Sequence, residues 1–154
     1  MKKVEMIQLN AHKVAVNYMD DGFNCCEAVM MTGDKVLDLK LPPEVFHACA
    51  NFRQGIGSGC VCGALSGMVM LSGILDRRFP HPLGKGLASH LHDRFKEKFG
   101  STCCRVLLKE MSFLDKVGKK GCKEMTGATA VMLQEIWEPV IKAKQLAGKQ
   151  GAEA

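Results

Sequence analysis

Apolar residues recur at steps of three and four along most of the chain, the period of one face of an α-helix. Val4, Ile7, Ala11, Val14 and Tyr18 predict a first helix that ends near Gly22. Asn24, a short side-chain acceptor, is suited to cap a second helix over about 25–38. Pro42-Pro43 opens a short third helix to about Phe52. Gln54-Gly55-Ile56-Gly57-Ser58-Gly59 reads as a flexible loop. A fourth helix covers about 61–75, and a loop with Pro80 and Pro82 follows. Leu83, Leu87, Leu91, Phe95 and Phe99 mark a fifth helix that stops at Gly100. Ser101 or Thr102 is placed to cap a sixth helix to about Met111. A seventh runs from Cys122 to about Lys142, kinked or shortened at Pro139. No segment shows the alternation of a half-buried strand. The expected fold is all-α, a compact bundle of about six or seven helices.

The fourth helix departs from amphipathic patterning. It is apolar all round, which predicts a buried, central, Gly-rich helix. Gly59, Gly63 and Gly67 follow one another at four-residue spacing. A helical glycine costs about 1 kcal/mol relative to alanine, so close approach of something must offset it. Another helix backbone or a cofactor would do so, which makes Gly59, Gly63 and Gly67 candidate cofactor-binding positions.

Composition narrows the class. At 154 residues, 47% hydrophobic and 24% charged, the chain reads as one globular domain, residues 1–147, with a frayed tail over 148–154. The net charge of +5 is modest and its carriers are scattered, so nucleic acid is not an expected partner. The longest uncharged apolar run, Val61 to Leu75, is shorter than the roughly 20 residues that span a bilayer, and no membrane insertion is expected. The first residues carry no apolar leader segment, and the expected compartment is the cytoplasm. Eight cysteines in a reducing compartment point to metal binding or redox chemistry before structural disulfides.

Four of the eight share one predicted position. Cys25, Cys62, Cys104 and Cys122 each fall in the first turn of a different helix. Helix N-termini carry partial positive charge and unpaired N–H donors, which favour the thiolate, the metal-binding and nucleophilic form. Helical phase selects within adjacent pairs. Cys25 lies on the stripe of Ala28, Val29, Thr32 and Val36, with Cys26 off it; Cys104 lies among Leu107, Leu108 and Met111, with Cys103 rotated away. Cys122 shares a face with Met125, Thr129, Met132, Leu133 and Ile136. Cys49, between Val45 and Phe52, reads as a small core hydrophobe. Cys60-Val61-Cys62 is too tightly spaced for common zinc motifs, and no Cys-x-x-Cys-His exists, so no haem attachment is expected.

These residues carry a family resemblance. Gly22-Phe23-Asn24-Cys25-Cys26-Glu27-Ala28-Val29 resembles the first motif of the C_GCAxxG_C_C cysteine family of redox-active proteins, and Cys62-Gly63-Ala64-Leu65-Ser66-Gly67 resembles its central motif. Phe99-Gly100-Ser101-Thr102-Cys103-Cys104-Arg105 resembles the third and Cys122 the fourth, so the resemblance spans about Val14 to Ile136. It implies a small helical redox protein whose four cysteines are Cys25, Cys62, Cys104 and Cys122. The family is also similar to the non-haem part of split-Soret cytochrome c, a dimer with an iron–sulfur site. Cys26, Cys60 and Cys103 depart from the pattern.

The leading expectation is electron transfer or redox sensing through an iron–sulfur cluster, [2Fe–2S] in type, held by the four thiolates as metal ligands. The alternative is an oxidoreductase-like dithiol–disulfide protein in which Cys62 or Cys104 attacks, using the same four as catalytic residues. A structural zinc site ranks below both. The redox partner protein is not legible, and a homodimer contacting through apolar residues of the first or seventh helix is expected. Hydrolytic or nucleotide-dependent chemistry is not expected: Gly55, Gly57 and Gly59 lack the strand and the Gly-Lys-Ser/Thr of a phosphate loop, and no Ser/His/Asp set stands out. Lys116, Lys119, Lys120 and Lys123 form a basic patch beside Cys122 that reads as a solvated face or a dock for an acidic partner.

Overall fold

The computed structural model describes residues 10–152. It contains eight helices: α1 (Ala11–Asp20), α2 (Cys25–Val36), α3 (Pro43–His47), α4 (Gly63–Arg78), α5 (Leu87–Phe99), α6 (Cys104–Glu110), α7 (Phe113–Lys116) and α8 (Lys120–Ala152). Among the described residues the sole β-type pairing is an isolated antiparallel bridge between Val61 and Cys103. The all-α expectation holds. Val4 and Ile7, used to predict the first helix, lie outside the described residues.

Local chemistry explains most boundaries. Asn10 caps α1 by accepting from the Lys13 N–H. Asn24 caps α2 in a full capping box: its Oδ1 accepts from Glu27 N at 2.9 Å, and Glu27 Oε2 accepts from Asn24 N at 2.7 Å. Gly100, left-handed at φ +87°, ends α5. The cap expected of Ser101 or Thr102 is instead supplied by neither side chain to the helix itself. Cys103 occupies the N-cap of α6, and Ser101 Oγ accepts from the Cys103 N–H just ahead of it.

Packing decided what periodicity had placed differently. The third helix ends at His47 rather than near Phe52, giving way to turns that Asn24 holds by donating from Nδ2 to the carbonyls of Cys49 and Ala50. The 54–59 segment is a tight turn of largely left-handed backbone, with Gln54, Ile56 and its three glycines at positive φ. Leu83 falls outside α5 and is largely exposed. α8 begins at Lys120 and continues through Pro139 and Gly148 to Ala152. Pro139 is on the exposed side, where water can serve the carbonyl its missing N–H leaves free.

α4 is central but not buried all round. Gly63, Ala64, Leu65, Gly67, Met68, Leu71, Ser72 and Leu75 are buried, whereas Ile74 is half-buried and Gly73 exposed. It packs against α2, α5 and α8, and α8 also covers α1 and α2. Met30, Met68, Leu71, Leu75, Leu91, Phe95, Leu133 and Trp137 fill the shared core. The single tryptophan is wholly buried and donates from its indole N–H to Ser72 Oγ at 2.9 Å. Ala11 and Ala15 of α1 pack against Ala130 of α8 as a small second cluster, so these apolar residues are used within the chain. Gly67 lets α4 approach the α2 backbone: a Cβ there would lie 2.8 Å from the Cys26 carbonyl oxygen. Among the described residues no helix is long and apolar enough to cross a membrane.

Candidate functional site

The starts of α2, α4, α6 and α8 meet at one end of the bundle, around a cavity of about 200 Å³. Cys25 is the first residue of α2, Cys62 the N-cap of α4, Cys104 the first residue of α6, and Cys122 the third residue of α8. All four line this cavity. The other four cysteines do not line it. Cys60 is exposed, Cys103 turns its thiol to donate to the Gly59 carbonyl at 3.3 Å, and Cys26 and Cys49 are fully buried. All eight thiols are free.

Short-range backbone contacts hold the cysteines in place. Cys62 N donates to Thr102 O at 2.9 Å and Cys104 N donates to Cys60 O, on either side of the Val61–Cys103 bridge. This clips the start of α4 to the start of α6. Two glycines make room for two of the sulfurs' chains. A Cβ at Gly63 would fall on Cys25 Sγ, and one at Gly55 would lie 2.7 Å from the Cys104 Cβ. Gly59, by contrast, faces the Arg105 side chain, and Gly67 faces α2. None of Gly59, Gly63 and Gly67 lines the cavity. What their absent side chains admit is protein, with the Cys25 sulfur as the one chemically active group among it.

The walls are apolar, from Met19, Phe23, Leu107, Leu108, Met111 and Met125, and three cations stand among them: Arg53, Lys119 and Lys123. Lys123 also pairs with Asp20 at 2.6 Å. Arg53, Gln54 and the methionine walls carry no sequence pattern that separates them from ordinary surface or core positions; the lysines are part of the basic patch beside Cys122.

The four thiols are not alike. The Cys62 thiol, as hydrogen-bond donor, lowers Cys25 to about 7 against the opposing effect of burial, helped by the N–H groups of Cys26, Cys25 itself and Ala64. Cys62 is pushed well up by the same partnership and by burial. Burial, then the nearby Cys25 and Cys103 charges, raises Cys104. Burial, then Cys25 and Cys104, raises Cys122, with Lys119 pulling the other way. A helix N-terminus at each cysteine is thus insufficient: hydrogen bonding to Cys25 together with burial outweighs it at Cys62, desolvation and repulsion outweigh it at Cys104 and Cys122, and Cys25, rather than Cys62 or Cys104, is the most acidic. Cys104 and Cys122 respond to Cys25 because the groups share one small space.

The helix-phase assignment for Cys26 is overturned. It is not off the inward stripe but wholly buried in the main core, because α2 is covered by α1 and α8 on one side and α4 on the other, leaving little outward face. Cys49 is buried as expected, yet more than a hydrophobe: its thiol donates to the Val45 carbonyl at 3.4 Å, and the Cys26 thiol donates toward it, which drives Cys26 up and Cys49 down. Of the histidines, His12 pairs with Glu124 at 3.1 Å and His92 with Asp93 at 2.8 Å; none lines the cavity.

The family model described as "Putative redox-active protein (C_GCAxxG_C_C)" matches residues 23–136, which include all four cavity cysteines. No curated protein and no solved structure is significantly similar to the chain.

Proposed function

The chain belongs to the redox-active C_GCAxxG_C_C family, and from that premise we propose that Cys25, Cys62, Cys104 and Cys122 work as one redox centre by ligating an iron–sulfur cluster of the [2Fe–2S] type. The observation that carries the reading is the convergence of four thiols, from four helix starts far apart in sequence, on one cavity. A bound cluster would supply one-electron exchange.

The chain's own groups suit that load. N–H groups at the starts of α2 and α4 reach the Cys25 and Cys62 sulfurs, and Arg53, Lys119 and Lys123 offset the negative charge that four thiolates would bring together. The methionine, leucine and phenylalanine walls limit water at the sulfurs. The donor set favours a cluster over one zinc ion. Zinc gathers its sulfurs at about 2.3 Å around a single point. A cluster distributes its four thiolates over more than one metal atom.

Cys25 and Cys62 favour a second reading. With Cys25 as thiolate and Cys62 beside it as thiol, Cys25 can attack an external disulfide and Cys62 then displace it. The products are two external thiols and a Cys25–Cys62 disulfide.

Anaerobic purification with visible spectroscopy separates the two. On the cluster reading the protein is coloured, and Cys25→Ser, Cys62→Ser, Cys104→Ser and Cys122→Ser each bleach it or shift its spectrum. Cys49→Ser, Cys60→Ser and Cys103→Ser leave the spectrum unchanged. A colourless protein that takes up no iron and sulfide on reconstitution, and in which only Cys25 and Cys62 oxidise reversibly, establishes the dithiol reading instead.

A further inference from the structure

The exposed large apolar side chains are unevenly distributed. Nine stand out among the described residues, and seven of them lie on the segments that build the cavity; Leu83 and Leu146 are the exceptions. The most prominent are Phe113 at 80%, Leu114 at 73% and Val117 at 57% exposure, on α7 and the turn that follows it. Met111 before this segment and Lys119 after it both line the cavity, so the segment forms its rim. Val106 on α6 and Ile56 and Val61 on the adjoining turn extend the apolar surface. That turn is tied to α6 by the Val61–Cys103 bridge and by Arg105, which donates to the Ser58 carbonyl at 2.8 Å.

Charge on the α6–α8 side of this surface is mainly positive. From Arg105 to Lys123 there are six basic residues against two acidic ones, Glu110 and Asp115. Lys109, Lys116 and Lys120 are exposed and in no ion pair with a described residue. Apolar surface around a cavity mouth, collared by lysine, has the make-up of a docking face with a hydrophobic centre and a charged rim.

We propose that this face docks a protein with an acidic rim around an apolar centre, the redox partner that exchanges electrons with the cavity cysteines; the inference rests on the redox reading above. Complementary charge selects this occupant over a second copy of the chain, because a two-fold contact would set one lysine collar against the other. It is favoured over a lipid surface because the exposed apolar segment lies between Met111 and Lys119, which line the cysteine cavity that an electron partner has to reach.

Calorimetric titration of the whole protein under anaerobic conditions with an acidic flavodoxin as probe tests the proposal. Binding is expected at low salt and weakened by about tenfold or more at high salt. The charge reversal K109E/K116E/K120E, and separately F113S/L114S, each weaken it by about tenfold, while K144E/K149E, about 30 Å or more along α8 from Cys122, does not change it. Iodoacetamide reacts more slowly with Cys104 and Cys122 in the complex. Absence of binding, salt-insensitive binding, or equal weakening by K144E/K149E overturns the proposal. So does self-association, or binding to phosphatidylglycerol vesicles, that F113S/L114S abolishes while flavodoxin binding persists. The visible spectrum is read independently. A colourless, redox-inert protein that still docks sinks the redox reading alone, and a redox-active one that does not dock sinks only this inference.

Discussion

A thiol ionises according to what its sulfur accepts and how much water it loses, and Cys25 and Cys62 show both effects at once. Cys25 gains a donor from Cys62 and falls to about 7; Cys62 supplies that donor and rises. Alkylation of Cys25 in the metal-free protein should therefore climb with pH about a midpoint near 7 and level off above it, since the thiolate is the reactive form. Cys62→Ala removes the largest stabilising contact, so the midpoint should move up toward the ordinary thiol value. Cys62→Ser keeps a donor and should move it less. Mass-spectrometric mapping of iodoacetamide adducts across a pH series reads all three, and an unmoved midpoint in Cys62→Ala contradicts the pairing. This difference among four cysteines was not legible in the sequence. Each sits at a helix start, which is a local property, whereas hydrogen bonding between Cys25 and Cys62 depends on two helices joined by a long crossover.

At the scale of elements, α2 and α4 approach closely enough that their contact is made through glycine. Gly63→Ala places a methyl on the Cys25 sulfur and 2.9 Å from the Phe52 carbonyl oxygen. Gly67→Ala places one 2.8 Å from the Cys26 carbonyl oxygen and 3.2 Å from the Val29 Cβ. Both should destabilise, by about 1–3 kcal/mol as overpacked core sites do, in urea unfolding. The alkylation midpoint of Cys25 should move only in Gly63→Ala, because only that methyl meets the sulfur. The glycine spacing marks close approaches of α2 at Gly63 and Gly67, whereas Gly59, left-handed and outside α4, faces the Arg105 side chain. One face of a helix can be read from periodicity, yet the neighbour that covers it is set by the fold. The same limit explains Cys26. Phase assigns an outward side only where a helix has one, and α2 is covered on both sides.

For the molecule as a whole, α8 spans α1, α2 and α4, and its wholly buried Trp137 reaches Ser72 on α4. The tryptophan also lies edge-on to His81, with ring centroids 5.0 Å apart. Guanidinium unfolding followed by tryptophan emission and by helical circular dichroism should give coincident transitions, as expected of one cooperative core. Separate midpoints would show that the helices around Trp137 and the remaining ones melt independently. The helical class, most of the helix starts and the placement of Cys25, Cys62, Cys104 and Cys122 at those starts follow from the sequence alone, because caps, periodicity and motif spacing are properties of residues near one another in the chain. Convergence of those cysteines on one cavity, the ranking of their acidity, the pairing of Cys26 with Cys49 and the collared apolar rim were decided only by tertiary structure. Each depends on groups distant in the chain being brought within a few ångströms, where desolvation, hydrogen bonding and charge act between elements rather than within them.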